Sequence, residues 1–211
     1  MAIVELPSLG DHIRDARLHR GFSLRALAGE VGVSASMISQ IENGKSQPSV
    51  STLYAITTAL GISIQDLFDS ALQALPESGQ RAVGDSASVL SALGSSRGRR
   101  IGPVVRRGDR TGLTLDTGVV WERLGELPPH SVDFLLVTYP PGGTSSSTGG
   151  LMRHSGAEFG YLLSGELVLA LGFAEEIKLG PGDSFSFEST TPHSYRNEGA
   201  VPAVGVWFVL E

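Results

Sequence analysis

The chain has 211 residues, 41% of them hydrophobic and 18% charged, which is enough to bury one large core or two small ones and excludes a wholly disordered chain. It has 27 glycines without a collagen repeat and no cysteine, which excludes disulfides, thiolate metal sites, iron–sulfur clusters and a cysteine nucleophile and leaves His, Asp and Glu as metal ligands. No apolar run approaches the roughly 18–20 residues of a membrane span, no basic-then-apolar leader opens the chain, and a net charge of −6 argues on its face against a nucleic-acid binder.

Divided by region, that charge reads differently. Residues 1–70 carry five basic and seven acidic side chains, for a net of −2. Residues 71–111 carry seven arginines against three acids, and residues 112–211 four basic groups against twelve acids, giving +4 and −8.

Helical punctuation dominates the first seventy residues. Leu9, Ile13, Ala16 and Leu18 recur at helical spacing up to Gly21 and predict a first amphipathic helix. Ser23 starts a second, Leu24–Val31, stopped at Gly32, and Ser34 caps a third, Ala35–Glu42, ended by Asn43-Gly44. Pro48-Ser49 opens a fourth helix to Leu60-Gly61, and Ser63 caps a fifth through Leu67-Phe68. Five short helices joined by tight turns predict an all-α domain over residues 1–70.

Residues 71–111, rich in Ser, Gly, Ala and Arg, read as a linker in which Leu72–Leu75 and Val89–Leu93 could each form a helical turn. The arginines Arg97, Arg99, Arg100, Arg106, Arg107 and Arg110 suit a solvated tether better than a DNA-contacting arm. Residues 112–211 turn to β texture. Leu113–Leu124, Val132–Tyr139, Gly160–Leu171, Ser184–Phe187 and Val201–Leu210 are rich in β-branched and aromatic residues between Pro/Gly breakers, the pattern of a sandwich or barrel. The chain as a whole reads as an α+β multidomain protein.

Within the helical segment, Ala28 is small where two helices cross, Gly32 makes a tight turn, and Leu27, Val33, Ile38 and Ile41 supply a shared core. Together with Ile41-Glu42-Asn43-Gly44-Lys45 and Pro48-Ser49, this resembles the phage-repressor (Cro-like, XRE) helix-turn-helix family over about residues 9–68. The resemblance implies a five-helix bundle whose recognition helix is Ala35–Glu42. It implies that Ala35, Ser36, Ser39 and Gln40 face base edges in the major groove, where Gln40 can pair bidentately with adenine. Phosphate contacts would come from Ser23, Arg25, Ser34, Asn43, Lys45 and the amides that open the recognition helix. Leu24 stands where the family commonly has Gln.

In Met152-Arg-His154-Ser-Gly-Ala-Glu158, positions 152, 154 and 158 share parity, so on extended chain they can point to one face. A second block, Gly180-Pro-Gly-Asp183-Ser-Phe-Ser-Phe187 with Pro192-His193-Ser-Tyr-Arg-Asn197, supplies alternating core Phe185 and Phe187 and another His. These blocks resemble the two cupin motifs, whose fold is a double-stranded β-helix or jelly roll, over about residues 112–211. By that resemblance His154, Glu158 and His193 are candidate ligands of Zn²⁺ or another divalent ion, while Met152 occupies the position of a further His. Ser146 replaces the motif's opening Gly, and Glu188 and Thr190 replace a Pro and a Gly. A metal-free pocket whose residues bond a small molecule or one another is the alternative. Met152, Tyr139, Arg153, Tyr161 and Tyr195 are candidate pocket residues, with Phe159 and Trp207 near them, each equally able to be plain core or interface.

A helix-turn-helix joined to a cupin resembles a bacterial class of one-component transcription regulators. The resemblance implies a cytoplasmic homodimer that binds a double-stranded DNA operator and a small-molecule effector, with no membrane partner. The rival expectation is a metal-dependent cupin enzyme, a dioxygenase or isomerase, fused to a DNA-binding domain. Against it, no acid–base pair or nucleophile declares itself beyond the His/Glu set, so the expectation is that the chain is not an enzyme. A purely dimerising, metal-free cupin is the third.

Overall fold

The computed structural model of the chain describes residues 4–5, 9–73, 104–125, 132–172 and 174–210. The turn expected at Val89–Leu93 and the arginines Arg97, Arg99 and Arg100 lie outside these residues. After a two-residue strand at Val4–Glu5 come five α-helices: α1 (Leu9–His19), α2 (Leu24–Val31), α3 (Ala35–Glu42), α4 (Val50–Leu60) and α5 (Ile64–Gln73). Their starts follow the predicted caps. The hydroxyls of Ser23, Ser34 and Ser49 accept from the backbone N–H of Ala26, Met37 and Thr52. At α5 the bonds are reciprocal: Ser63 Oγ accepts from Asp66 N at 3.1 Å and Asp66 Oδ2 accepts from Ser63 N at 2.8 Å. Between α2 and α3, Gly32 takes φ +75° and its N–H closes on Ala28 O, a left-handed corner that a side chain would strain.

Leu18 departs from expectation, at 56% exposed. A step of four residues from Ile13 stays on the inner face of α1, whereas five residues carries the side chain away from it, so Arg17 takes the inward place. Arg17 is buried because Glu42 at the end of α3 meets it with both carboxylate oxygens, Nε to Oε1 at 2.6 Å and Nη2 to Oε2 at 2.9 Å.

The strands are β1 (Val4–Glu5), β2 (Thr111–Thr114), β3 (Val120–Gly125), β4 (Val132–Tyr139), β5 (Ala157–Ser164), β6 (Leu167–Leu171), β7 (Ile177–Leu179), β8 (Ser184–Glu188), β9 (His193–Arg196) and β10 (Ala203–Leu210). They form a seven-stranded sheet ordered β1-β2-β3-β4-β10-β5-β8 and a three-stranded sheet ordered β7-β6-β9. The strand expected over Leu113–Leu124 is cut by the turn Asp116–Gly118, where Asp116 Oδ1 accepts from Thr117 N at 2.9 Å. That expected over Gly160–Leu171 is cut at Gly165. Thr111, assigned to the linker from sequence, belongs to the sheet, because Val4↔Thr111 pair in parallel register and draw it in. Gly160 lets β5 lie under the ring of Phe185, which a Cβ there would meet at 2.1 Å.

One hydrophobic cluster runs from Leu9 in α1 to Trp207 in β10 without a break between helices and barrel. The junction centres on α4, where Ser51 N donates to Ser145 O at 2.9 Å and Asp116 N donates to Pro48 O at 2.9 Å. Beside it Gln65 Nε2 donates to Val132 O at 2.5 Å, and the Arg123 guanidinium lies 5.6 Å over the Phe68 ring.

Candidate functional site

Helix α3, the expected recognition helix, presents a mixed surface. Ser36 and Gln40 are exposed, Ser39 is half-buried, and Ala35 is half-buried and packs on the core. Asn43 donates to Ser39 O at 2.6 Å, so it finishes α3 while lying on the surface. Ser23, Arg25, Ser34 and Lys45 are all exposed, Ser23 and Arg25 at the start of α2, Ser34 at the start of α3 and Lys45 just beyond its end. The exposed side of α2–α3 thus carries hydroxyls, an amide and two cations.

The second site lies inside the barrel. His154 precedes β5, Glu158 points inward from β5, and His193 opens β9, held in place by the bridge Met152↔His193. Glu158 Oε1 lies 2.8 Å from His154 Nε2 and 2.9 Å from His193 Nε2, and all three residues are buried. The other ring nitrogens face backbone carbonyls, His154 Nδ1 to Ser155 O at 3.0 Å and His193 Nδ1 to Thr191 O at 2.8 Å. A carbonyl only accepts, so each Nδ1 carries a proton and each ring turns its Nε2 toward the carboxylate.

Two ring nitrogens and a carboxylate oxygen that converge at 2.8 and 2.9 Å need positive charge between them, as protons or as a divalent ion. His193 Nε2 is buried at hydrogen-bonding distance yet lacks hydrogen-bond geometry. The ligand atoms of all three residues lie within 4.8 Å of one another. Two imidazoles and a carboxylate are the donor set of open zinc and non-haem iron sites, and their outer bonds fix the rings as such sites require. The triad can hold a divalent metal. Burial alone would raise the Glu158 carboxyl, but the contacts with His154, His193 and Tyr195 outweigh it and hold the group at about 2. Tyr195 donates its O–H to Glu158 Oε2 at 2.7 Å. Burial, and then the Glu158 charge, push the Tyr195 and Tyr139 phenols well above their ordinary range, so both keep their protons.

Beside the triad lies a small cavity walled by Met152, Tyr139, Tyr195, Trp121, Leu135, Val137, Trp207 and Val209 from the barrel, and by Val50 and Tyr54 from α4. Arg153 and Tyr161, proposed from sequence as pocket residues, are corrected to the outside. Each is an odd number of positions from an inward Met152 or Glu158, and strand alternation turns it to solvent, Tyr161 at 47% exposed. Phe159 is on the outer face for the same reason, at 44% exposed.

Sequence reasoning missed Val50 and Tyr54. The Tyr54 ring lies flat on His154, centroids 4.0 Å apart with planes 2° from parallel, and edge-on to Trp121 at 5.8 Å. A signal was available: residues 46–65 contain no charged side chain, so α4 is apolar on more than one face, the mark of a helix buried on two sides.

Residues 13–67 match the helix-turn-helix family HTH_3, and residues 135–209 match the cupin-domain family Cupin_2. The chain is a helix-turn-helix regulator of the XRE type with a C-terminal cupin domain. The regulator is 27% identical over 192 residues to the HTH-type transcriptional regulator PuuR of Escherichia coli (strain K12), covering 90% of this chain and 88% of that one. It is 37% identical over 68 residues to the HTH-type transcriptional regulator SutR of the same organism, covering 32% of this chain and 38% of that one. A crystal structure of an HTH_3 family transcriptional regulator from Vibrio cholerae superimposes with TM-score 0.62 at 20% identity, covering 97% of this chain and 95% of that one, so the fold is common along the length. Among the described residues no helix is long and apolar enough to cross a membrane.

Proposed function

We propose that the regulator is a cytoplasmic homodimer that reads a two-fold DNA operator through α3 and binds a small-molecule effector in the cupin barrel, on a divalent ion held by His154, Glu158 and His193. The observation that carries this reading is the buried triad facing an aromatic cavity in the same chain as an exposed recognition helix. Zn²⁺ fits the donor set, and a bound ion would supply open positions for a carboxylate or hydroxyl of the effector. The protein's share is orientation: the Nδ1–carbonyl bonds and the Tyr195 hydroxyl fix the ligands, and the aromatic walls exclude water.

Two measurements test it. Duplexes selected from a random library by the full-length protein should share half-sites about one DNA turn apart. Metal analysis should find one divalent ion per chain, and Glu158→Gln, which keeps the size and loses the charge, should weaken that binding by at least about 10–100-fold. Wild type purified from metal-replete medium without a stoichiometric ion would return the barrel to the metal-free reading. The triad is also the observation that favours a metal-dependent enzyme, and turnover by the loaded protein would establish that second reading.

For the dimer we propose the outer face of the seven-stranded sheet. Phe134, Phe208, Phe159, Tyr161, Leu163 and Leu210 form a continuous apolar patch across β4, β10 and β5, with the Phe134 and Phe208 rings stacked at 4.4 Å. Aromatic anchors at the centre of such a patch contribute about 2 kcal/mol or more to association. Phe208→Glu should therefore raise the dimer dissociation constant about thirty-fold or more, read by sedimentation or light scattering. An unchanged dimer would move the interface elsewhere.

A further inference from the structure

The space left among Tyr54, Val50, Glu158 and the barrel aromatics is about 20 Å³, room for a single water molecule. Pockets that take up metabolites are of the order of several hundred Å³. A wall must therefore move before a ligand can sit beside the triad. The barrel walls are held on both sides. β10 is paired along its whole length with β4 and with β5, and the rings of Tyr139, Tyr195, Phe185 and Trp207 interlock at 5.5–6.4 Å. The α4 wall is held differently, without strand pairing to the barrel: by the side chains of Val50 and Tyr54, by the backbone bonds of Ser51 to Ser145 and of Asp116 to Pro48, and beside it by Gln65 on Val132 and Arg123 over Phe68. It is the wall that can withdraw as a unit.

We propose that α4 and the effector compete for one volume: the DNA-binding domain is itself the plug of the sensor barrel, and a ligand enters by expelling Val50 and Tyr54. This deepens the effector-site reading above and rests on it. In the closed state Tyr54 lies on the outer face of His154, and the first turn of α4 is fixed by Ser145 and Asp116. Ligand entry breaks the stack and frees the helical domain, with its recognition helix, from the barrel that carries the dimer surface. Coupling then needs no relay through the barrel, because the ligand acts on the reading domain by contact. Reciprocity follows: any partner that favours the docked domain weakens ligand binding by the same factor.

The test uses p-cresol, the side-chain analogue of tyrosine, as the probe of the aromatic cavity, titrated by calorimetry into the full chain. Tyr54→Ala removes the plug and should bind p-cresol at least tenfold more tightly than wild type. Because the chain has no cysteine of its own, Ser51→Cys with Ser145→Cys yields a single possible disulfide across the junction, between residues whose backbones are already bonded at 2.9 Å. Oxidised, this variant should bind p-cresol at least tenfold more weakly than the same chain reduced, a comparison that any folding defect of Tyr54→Ala leaves intact. Hydrogen exchange along α4 should rise when p-cresol binds the reduced form. Equal affinity in the oxidised and reduced forms would overturn the plug, since the probe would then enter without moving α4. Failure of the opened Tyr54→Ala barrel, shown folded by its circular dichroism, to bind at all would overturn the barrel as a small-molecule site.

Discussion

Glu42→Ala is expected to destabilise the helical domain by about 3–5 kcal/mol, the cost of leaving a buried charge without its partner. Arg17 donates Nε and Nη2 to the two Glu42 oxygens and Nη1 to Phe22 O at 2.9 Å, and both partners are more than nine-tenths buried. The Glu42 hydrogen bonds raise the Arg17 guanidinium above its ordinary range; without them it is still charged, because an arginine side chain is not deprotonated in proteins. Whole domains are stable by only about 5–15 kcal/mol, so this one change consumes much of the margin. Guanidinium unfolding followed by far-ultraviolet circular dichroism, dominated by the five helices, reads the effect. Arg17→Met combined with Glu42→Leu should fall close to wild type, because neither charge is then stranded. A near-neutral Glu42→Ala would mean that water reaches the pair.

The second large effect is on DNA. Gln40 is exposed on α3 and carries the amide able to make a two-pronged contact with adenine. Each such contact contributes about 1–3 kcal/mol, and a two-fold operator holds two copies, so Gln40→Ala should cost the dimer about 2–6 kcal/mol, from roughly thirty-fold to roughly ten-thousand-fold or more. The loss should appear at one position of each half-site, with the salt dependence unchanged, since no phosphate contact is removed. Lys45→Ala should do the opposite: weaken all sequences alike and flatten the salt dependence by about one ion per subunit. The wild-type salt slope should itself be shallow, because exposed cations near α3 are few. Release of more than roughly ten ions per dimer would mean that the Arg97–Arg110 stretch touches DNA.

The helical half was legible because each boundary is written in local chemistry: a hydroxyl before α2, α3, α4 and α5, and a glycine after α2 and α4. The triad was legible because parity and motif spacing survive folding, so His154 and Glu158 announced a common face although His193 lies a further strand pair away. What was not legible depends on meetings between distant segments. Val4 and Glu5 form a strand because Thr111 lies beside them, and nothing local in two residues says so. Arg153 and Tyr161 looked like pocket residues by proximity in sequence, and the alternation of the strand decided otherwise. Tyr54 reads as ordinary helix core until the barrel is set beside it, and then it is a ring that lies parallel on a triad histidine.

The double duty of α4 also bears on how such proteins can be recombined. One face of this helix completes the bundle that presents the recognition helix, and its other face is fitted to the mouth of a particular barrel. A chimera that grafts these helices onto a different sensor would inherit the recognition surface and lose the match at Val50, Ser51 and Tyr54. Substitutions in the barrel lining and on the outward face of α4 should therefore accumulate together during divergence, so that the unit of inheritance is the pair of domains and the seam falls within neither.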